Sequence, residues 1–254
     1  MILKGKNFDI TTVYIVVLLV LLAVQFAFWV KISGLKADIE IVSAAPSENT
    51  IRAFTFGDDE FYFRTKVFKV QNMGDTYGRF TALNRYDYGK LHDWFVALEK
   101  LNEKSTYLPA LAAYYFSQTQ NVADRMYIVN FLERHAMLNP KDNWWWLYQA
   151  AYIAFYNMND QDLGIKLAHK LKAEAPDTAP MWVKQMVGIF LTKKGDDCEA
   201  VRVISEIMND LENNTVKTEE EKLKELDYMK YFIQTKIDTL KKKNINVKNC
   251  FNKK

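Results

Sequence analysis

Few residues in this chain are suited to chemistry, and their spacing limits what they can do. Its three histidines are His92, His135 and His169. A helical metal site needs a second ligand one turn away, and no ligand stands four residues beyond any of them, nor is there a His-Glu-x-x-His run. They are expected to be buried or half-buried packing residues with no bound metal, each on the second helix of a helical hairpin. Two cysteines, Cys198 and Cys250, are too few for a Cys-based zinc site. No serine elbow and no paired acids announce hydrolysis, so no catalytic residue and no cofactor is expected. One loop, Met73 to Tyr88, keeps a second reading open through Gly74-x-x-x-Gly78. No Gly-Lys-Ser/Thr follows, which argues against a phosphate loop. Convergence of Gly74, Asp75, Tyr77 and Arg79 on a deep polar pocket would instead mark an enzyme, or an enzyme subunit using the rest of the chain as a platform.

Composition sets the background for these residues. Of 254 residues, 49% are hydrophobic, enough for a substantial core. A net charge of +3 makes no general electrostatic case for nucleic acid. Only 9 glycines and 5 prolines argue against a turn-rich all-β fold and against a long disordered linker. An all-α protein is expected.

Ile10 to Val30 is uncharged throughout (ITTVYIVVLLVLLAVQFAFWV). As a helix these 21 residues span about 30 Å, the thickness of a bilayer's hydrocarbon core. Trp29 and Lys31 suit the interface at its end. The run exceeds a signal peptide's apolar region of about 7–15 residues, and Ser43-Ala44-Ala45 lies well beyond it. A single transmembrane helix over 10–31 is expected, uncleaved, after a short tail (1–9) and before a juxtamembrane stalk (32–50). Lys4 and Lys6 on one side balance Lys31 and Lys36 on the other, so flanking charge does not orient it.

Beyond the stalk the apolar period is helical. Phe61 to Val67 partly alternates as a strand would, but Phe61, Arg64, Thr65 and Phe68 fall on one face of a helix opened by Asp58-Asp59-Glu60. A helix within 51–70 is the favoured expectation, because a lone strand would have no partner. Leu91, Trp94, Phe95, Leu98 and Leu101 make the next helix amphipathic, and a further one is expected from about Tyr107 to Gln120. Asn121 and Asp124 suggest a capping box for the helix that ends before Asn139-Pro140. Asp142 or Asn143 is expected to cap the helix opening at Trp144, Asp160 its partner, and Asp177 or Thr178 the one after. A shift of 36 residues then superimposes Pro140 on Pro176, Trp146 on Trp182, Gln149 on Gln185, Ile153 on Ile189, Asp160 on Asp196 and Gly164 on Ala200. Two helical patterns per period of that length mark an α-solenoid. From Thr218-x-x-Glu221, a last helix carries Leu223, Leu226, Met229, Phe232, Ile233, Ile237 and Leu240 as an apolar stripe, suited to capping the stack.

On these residues the chain resembles the tetratricopeptide-repeat family over roughly Tyr88 to Asp210. With Pro176 as the closing proline, Tyr148 stands at the family's tryptophan, Phe155 at its tyrosine and Gly164 at its small residue in the second helix. Gly188 and Ala200 match small positions of the next unit. Lys184 replaces an aromatic, Tyr152 a glycine, and the period is 36 rather than 34. The implied layout is a helical repeat domain over 51–214, a capping helix over 215–243 and a basic tail over 244–254; lysines 241–243 end that helix and 248, 253 and 254 lie in the tail. Membrane-anchored members commonly act as scaffolds or adaptors, and the resemblance implies that role, in assembly of an envelope or membrane complex.

In that family the first helix of each unit lines a concave groove. The corresponding residues here are Trp146, Gln149, Ile153, Tyr156 and Asn157, then Trp182, Gln185, Ile189 and Lys193. Paired Trp faces and Gln amides would suit an extended peptide of a protein partner, other membrane proteins included; equally, they would suit packing between repeats. Of Trp144-Trp145-Trp146, neighbours about 100° apart on a helix, at least one should face outward. Cys198 and Cys250 allow a disulfide, which would place the domain outside the cytoplasm, in a bacterial periplasm behind the inner membrane; two unrelated thiols are the other reading, and suit a cytoplasm-facing adaptor.

Overall fold

The uncharged run becomes helix α1, Ile10–Ser33, with every residue exposed. It is long and apolar enough to cross a membrane. The computed structural model describes residues 10–33, 40–76, 78–213 and 218–251, with Thr76, Arg79 and Asn249 as backbone alone. The chain falls into two units, residues 1–40 and 41–254.

The second unit is all-helical among its described residues apart from one ladder of two-residue strands, β1 (Asp75–Thr76) and β2 (Arg79–Phe80). It begins earlier than the expected stalk allows. Val42 is buried, and Trp94 donates its Nε1–H to the Ser43 carbonyl at 2.8 Å, so 41–45 packs on the core. Helix α2 (Glu48–Thr55) is capped by Ser47 and stops where Phe56 and Gly57 turn left-handed. Helix α3 (Asp59–Gln71) is capped by Asp58. It is a helix as expected, but it faces the other way. Tyr62, Phe63, Val67 and Val70 are buried, while Phe61 and Phe68 are exposed. Both faces carry phenylalanines, but the buried one is lined by Val67 and Val70 where the other holds Arg64 and Thr65.

Helices α4 (Tyr88–Glu99), α5 (Tyr107–Tyr114) and α6 (Val122–Leu138) follow. α4 buries Leu91, Trp94, Phe95 and Leu98 as its pattern requires. α5 is shorter than expected and gives way to a 3-10 turn at Phe116–Gln118, where the Tyr88 hydroxyl donates to the Phe116 carbonyl. Phe95, Phe116 and Phe131 meet at 5.0–5.6 Å between centroids and form the centre of this part of the core.

Proline then opens the next helix instead of preceding it. α7 runs Pro140–Tyr152 from Asn139, so the three tryptophans lie inside it and neither Asp142 nor Asn143 caps it. Pro at the first helical position has no N–H to waste there. A π-turn at Ile153–Asn157 ends α7. Helices α8 (Gln161–Glu174) and α10 (Asp197–Glu212) are capped by Asp160 and Asp196, equivalent residues of the 36-residue offset. Between them α9 (Met181–Lys194) starts from Pro180, not from Asp177 or Thr178, and the Asp177 carboxylate accepts from Lys184. Consecutive helices from α6 to α10 pack side by side. Gly164 fits under Phe155 and Gly188 under Ile204; a Cβ at either would meet the neighbour at 2.6 Å. These small residues let the helices cross closely.

Helix α11 (Glu219–Lys242) opens with the expected capping box at Thr218 and Glu221 and lies on α10. Its stripe is narrower than expected. Leu226, Met229 and Leu240 are buried, whereas Leu223 is exposed. Asp197, buried at the start of α10, holds Lys243 at 2.8 Å. The short α12 (Lys248–Phe251) buries Cys250, which is bonded to Cys198 with Cα atoms 5.0 Å apart.

Candidate functional site

The 36-residue repetition is structural at its core and broken at its surface. Leu147, Ala150, Ala151 and Ala154 of the first copy are buried, and so are their counterparts Val183, Met186, Val187 and Phe190. The residues beside that stripe differ between copies. Trp146 and Ile153 are buried, while Trp182 and Ile189 are exposed; Gln185 is buried, while Gln149 is half-exposed. Hence Trp146, Ile153 and Gln185 do not line a groove. Trp146 is covered by Tyr114 of α5, Ile153 is enclosed within the π-turn, and Gln185 sits on the inner face of α9.

The residues left over form a continuous aromatic face. Along α7 and its π-turn, Trp145, Tyr148, Tyr152 and Tyr156 contact one another in sequence with centroids 5.1, 6.2 and 4.8 Å apart. Near-α spacing of three and four residues puts them on one side of the helix. Trp182 reaches over from α9 and meets Tyr148 at 5.0 Å, Trp144 at 6.2 Å and Trp145 at 6.4 Å. Trp144 and Trp145 are thus half-buried, and none of the three consecutive tryptophans stands free.

Polar groups fringe this face. The Tyr114 hydroxyl accepts from Trp145 Nε1 at 2.8 Å and from Gln149 Nε2 at 3.1 Å. Lys193 Nζ lies 5.6 Å above the Tyr156 ring, a cation–π arrangement. The Asn157 carbonyl takes a bond from Arg125. Burial, reinforced by neighbouring tyrosines, raises the Tyr148 and Tyr156 hydroxyl pKa values above the ordinary phenol value. The phenols therefore stay neutral donors near pH 7, and the face offers flat apolar area with hydroxyl and amide hydrogen bonding. Tyr148 to Tyr156 at intervals of four was a signal available in the sequence. The contribution of Tyr114 and Trp145 was not, because it depends on how α5 meets α7.

The histidines do not converge. His92 is half-buried near the Tyr127 ring, His169 is exposed rather than packed inside, and His135 is buried with Nδ1 at 2.9 Å from Glu99. Arg134, itself half-exposed, contacts the other oxygen of that carboxylate, so an ion pair and a buried imidazole join α4 to α6. Among the described residues no three His, Cys, Asp or Glu side chains are grouped to hold a metal ion. In the 73–88 loop, Gly74 is buried where the Tyr86 hydroxyl presses on it, leaving no room for a Cβ. Asp75 is exposed, and Tyr77 and the Arg79 side chain lie outside the described residues. A cleft of about 330 Å³ lies between α2 and α4, lined by Ile51, Arg52, Val96, Lys100 and others but by no residue of that loop.

No family model, curated protein or solved structure matches the chain.

Proposed function

We propose that the chain is a single-pass membrane protein whose helical domain, built in the tetratricopeptide manner, binds a protein partner through the aromatic face of α7 and α9. The observation that carries this reading is the row Trp145–Tyr148–Tyr152–Tyr156 with Trp182 beside it, five aromatic rings left half-buried or exposed on one side of a packed domain. Aromatic side chains with a polar tip dominate binding surfaces because they bury much area at low entropy cost. Side-by-side packing of α6 to α10, with glycines at the crossings, supports the repeat reading. A π-turn within α7's continuation is a further mark of a functional position.

The Cys198–Cys250 bond supports an oxidising location, such as a bacterial periplasm, with α1 in the inner membrane. The chain then serves as a tethered scaffold in an envelope or membrane complex. The test is affinity purification of the full chain from solubilised membranes, wild type against Trp182→Ala/Tyr156→Ala. Loss of a specific partner is expected; identical partners in both would sink the aromatic face as the binding surface.

A further inference from the structure

We infer that the hairpin formed by α2 and α3 is a lipid-docking surface, held against the bilayer that α1 crosses. The inference rests on the membrane reading above. Phe54, Phe56, Phe61 and Phe68 are 60%, 90%, 67% and 64% exposed, and Phe80 just beyond is 84% exposed. Phe61 and Phe68, seven residues apart on α3, share the face opposite Phe63 and Val67, with Thr65 between them. Phe56 sits at the tip of the turn, in left-handed backbone. Together the five phenylalanines show on the order of 600–700 Å² of ring surface, gathered within residues 54–80, with Phe61 and Phe68 on one face of α3.

Phenylalanine has no polar atom for water, so rings this exposed gain from an apolar cover. The tether indicates which one. Phe26, Phe28 and Trp29 place aromatic rings near the domain-side end of α1, where a headgroup layer would lie. Eight peptide steps from Ser33 to Ile41 reach at most about 28 Å, and α2 begins seven residues later. α2 and α3 are thus the first helices beyond the span, and so short a tether keeps the domain within reach of the bilayer. Residues 48–71 carry Arg52, Arg64, Lys66 and Lys69 against Glu48, Asp58, Asp59 and Glu60. This balance means that docking is driven by the rings and does not require anionic lipid.

The experiment uses the full chain, disulfide intact, in phosphatidylcholine vesicles, with a nitroxide on Thr65→Cys and collision with oxygen compared against a water-soluble nickel chelate. A Thr65 label several-fold better shielded from nickel than one on Tyr228→Cys, and open to oxygen, is expected. A label as accessible to nickel as the Tyr228 control overturns the proposal. So does one shielded from both reagents, or one broadened at high protein-to-lipid ratio, since a partner or second copy then covers the face. A label on Leu19→Cys separates the two levels: if it is aqueous, the membrane reading itself fails, and if it is lipid-embedded while Thr65 is aqueous, docking alone fails. In Phe56→Ser/Phe61→Ser the Thr65 label should return to water with the melting temperature unchanged, because both rings are already exposed; shielding that survives both changes also overturns docking.

Discussion

Tyr148 and Trp182 meet edge to face, centroids 5.0 Å apart and planes 77° to one another. Through this contact α9 adds its tryptophan to the row on α7, and two helices present one surface. Edge-to-face pairs contribute about 0.5–1.5 kcal/mol beyond the area they bury, so the arrangement is held before any partner arrives. Such preorganisation lowers the ordering cost of binding.

The two repeat-related tryptophans should respond differently to truncation. Trp146→Ala removes a ring that is 6% exposed and should cost about 3–5 kcal/mol of stability. Trp182→Ala removes one that is 40% exposed and should cost only about 1–2 kcal/mol, while weakening partner capture more. Denaturant unfolding monitored by near-ultraviolet circular dichroism, run beside the pull-down, separates the two effects. Equal destabilisation would contradict the unequal burial.

Gly164→Ala should destabilise by about 1–3 kcal/mol, since the new methyl meets the Phe155 backbone as well as its side chain. At Gly188 the obstruction is the outer part of the Ile204 side chain. There a rotamer change can offset part of the clash, and alanine's helix preference of about 1 kcal/mol returns some stability. Melting temperatures should fall further for Gly164→Ala; the reverse order would show that the α7–α8 crossing yields more readily than its geometry indicates.

Reduction of the Cys198–Cys250 bond, which joins residues 52 apart, should remove about 4 kcal/mol in the chain-entropy account. Cys198→Ser/Cys250→Ser should melt like the reduced wild type. Thiol labelling without reductant should find no reactive cysteine in protein isolated from its native membrane. Two freely reactive thiols in intact cells would put the domain in the cytoplasm.

His135 should make folding sensitive to mild acid. Burial, then the neighbouring Arg134 cation, lower its pKa from 6.5 to about 4, with Glu103 opposing. Glu99 lies beside the imidazole, but Arg134 already compensates that carboxylate. A group whose charged form is disfavoured in the fold contributes full stability above its unfolded pKa and loses it as pH falls towards its folded value. The loss should begin below pH 6.5 and reach about 2 kcal/mol by pH 5. Unfolding free energy measured across this range should be flatter for His135→Gln; parallel curves would show that His135 does not set the slope.

The sequence by itself determined what depends on neighbours along the chain. The uncharged run from Ile10 to Val30 had to be one apolar helix, and Asn121, Asp160, Asp196 and Thr218 had to cap the helices after them, because capping and helical period act within four residues. Choice of face was not settled by aromatic spacing where both faces carried phenylalanines: α3 buries Tyr62 and Phe63 and leaves Phe61 and Phe68 outside. Nor could repetition tell that Trp146 is covered by Tyr114 while Trp182 lies at the surface. The Glu99–Arg134–His135 cluster, the Cys198–Cys250 bond and the joining of Tyr148 to Trp182 all link residues more than thirty positions apart. Burial and contact of that kind are set by which helix lies alongside, and only the tertiary structure decides it.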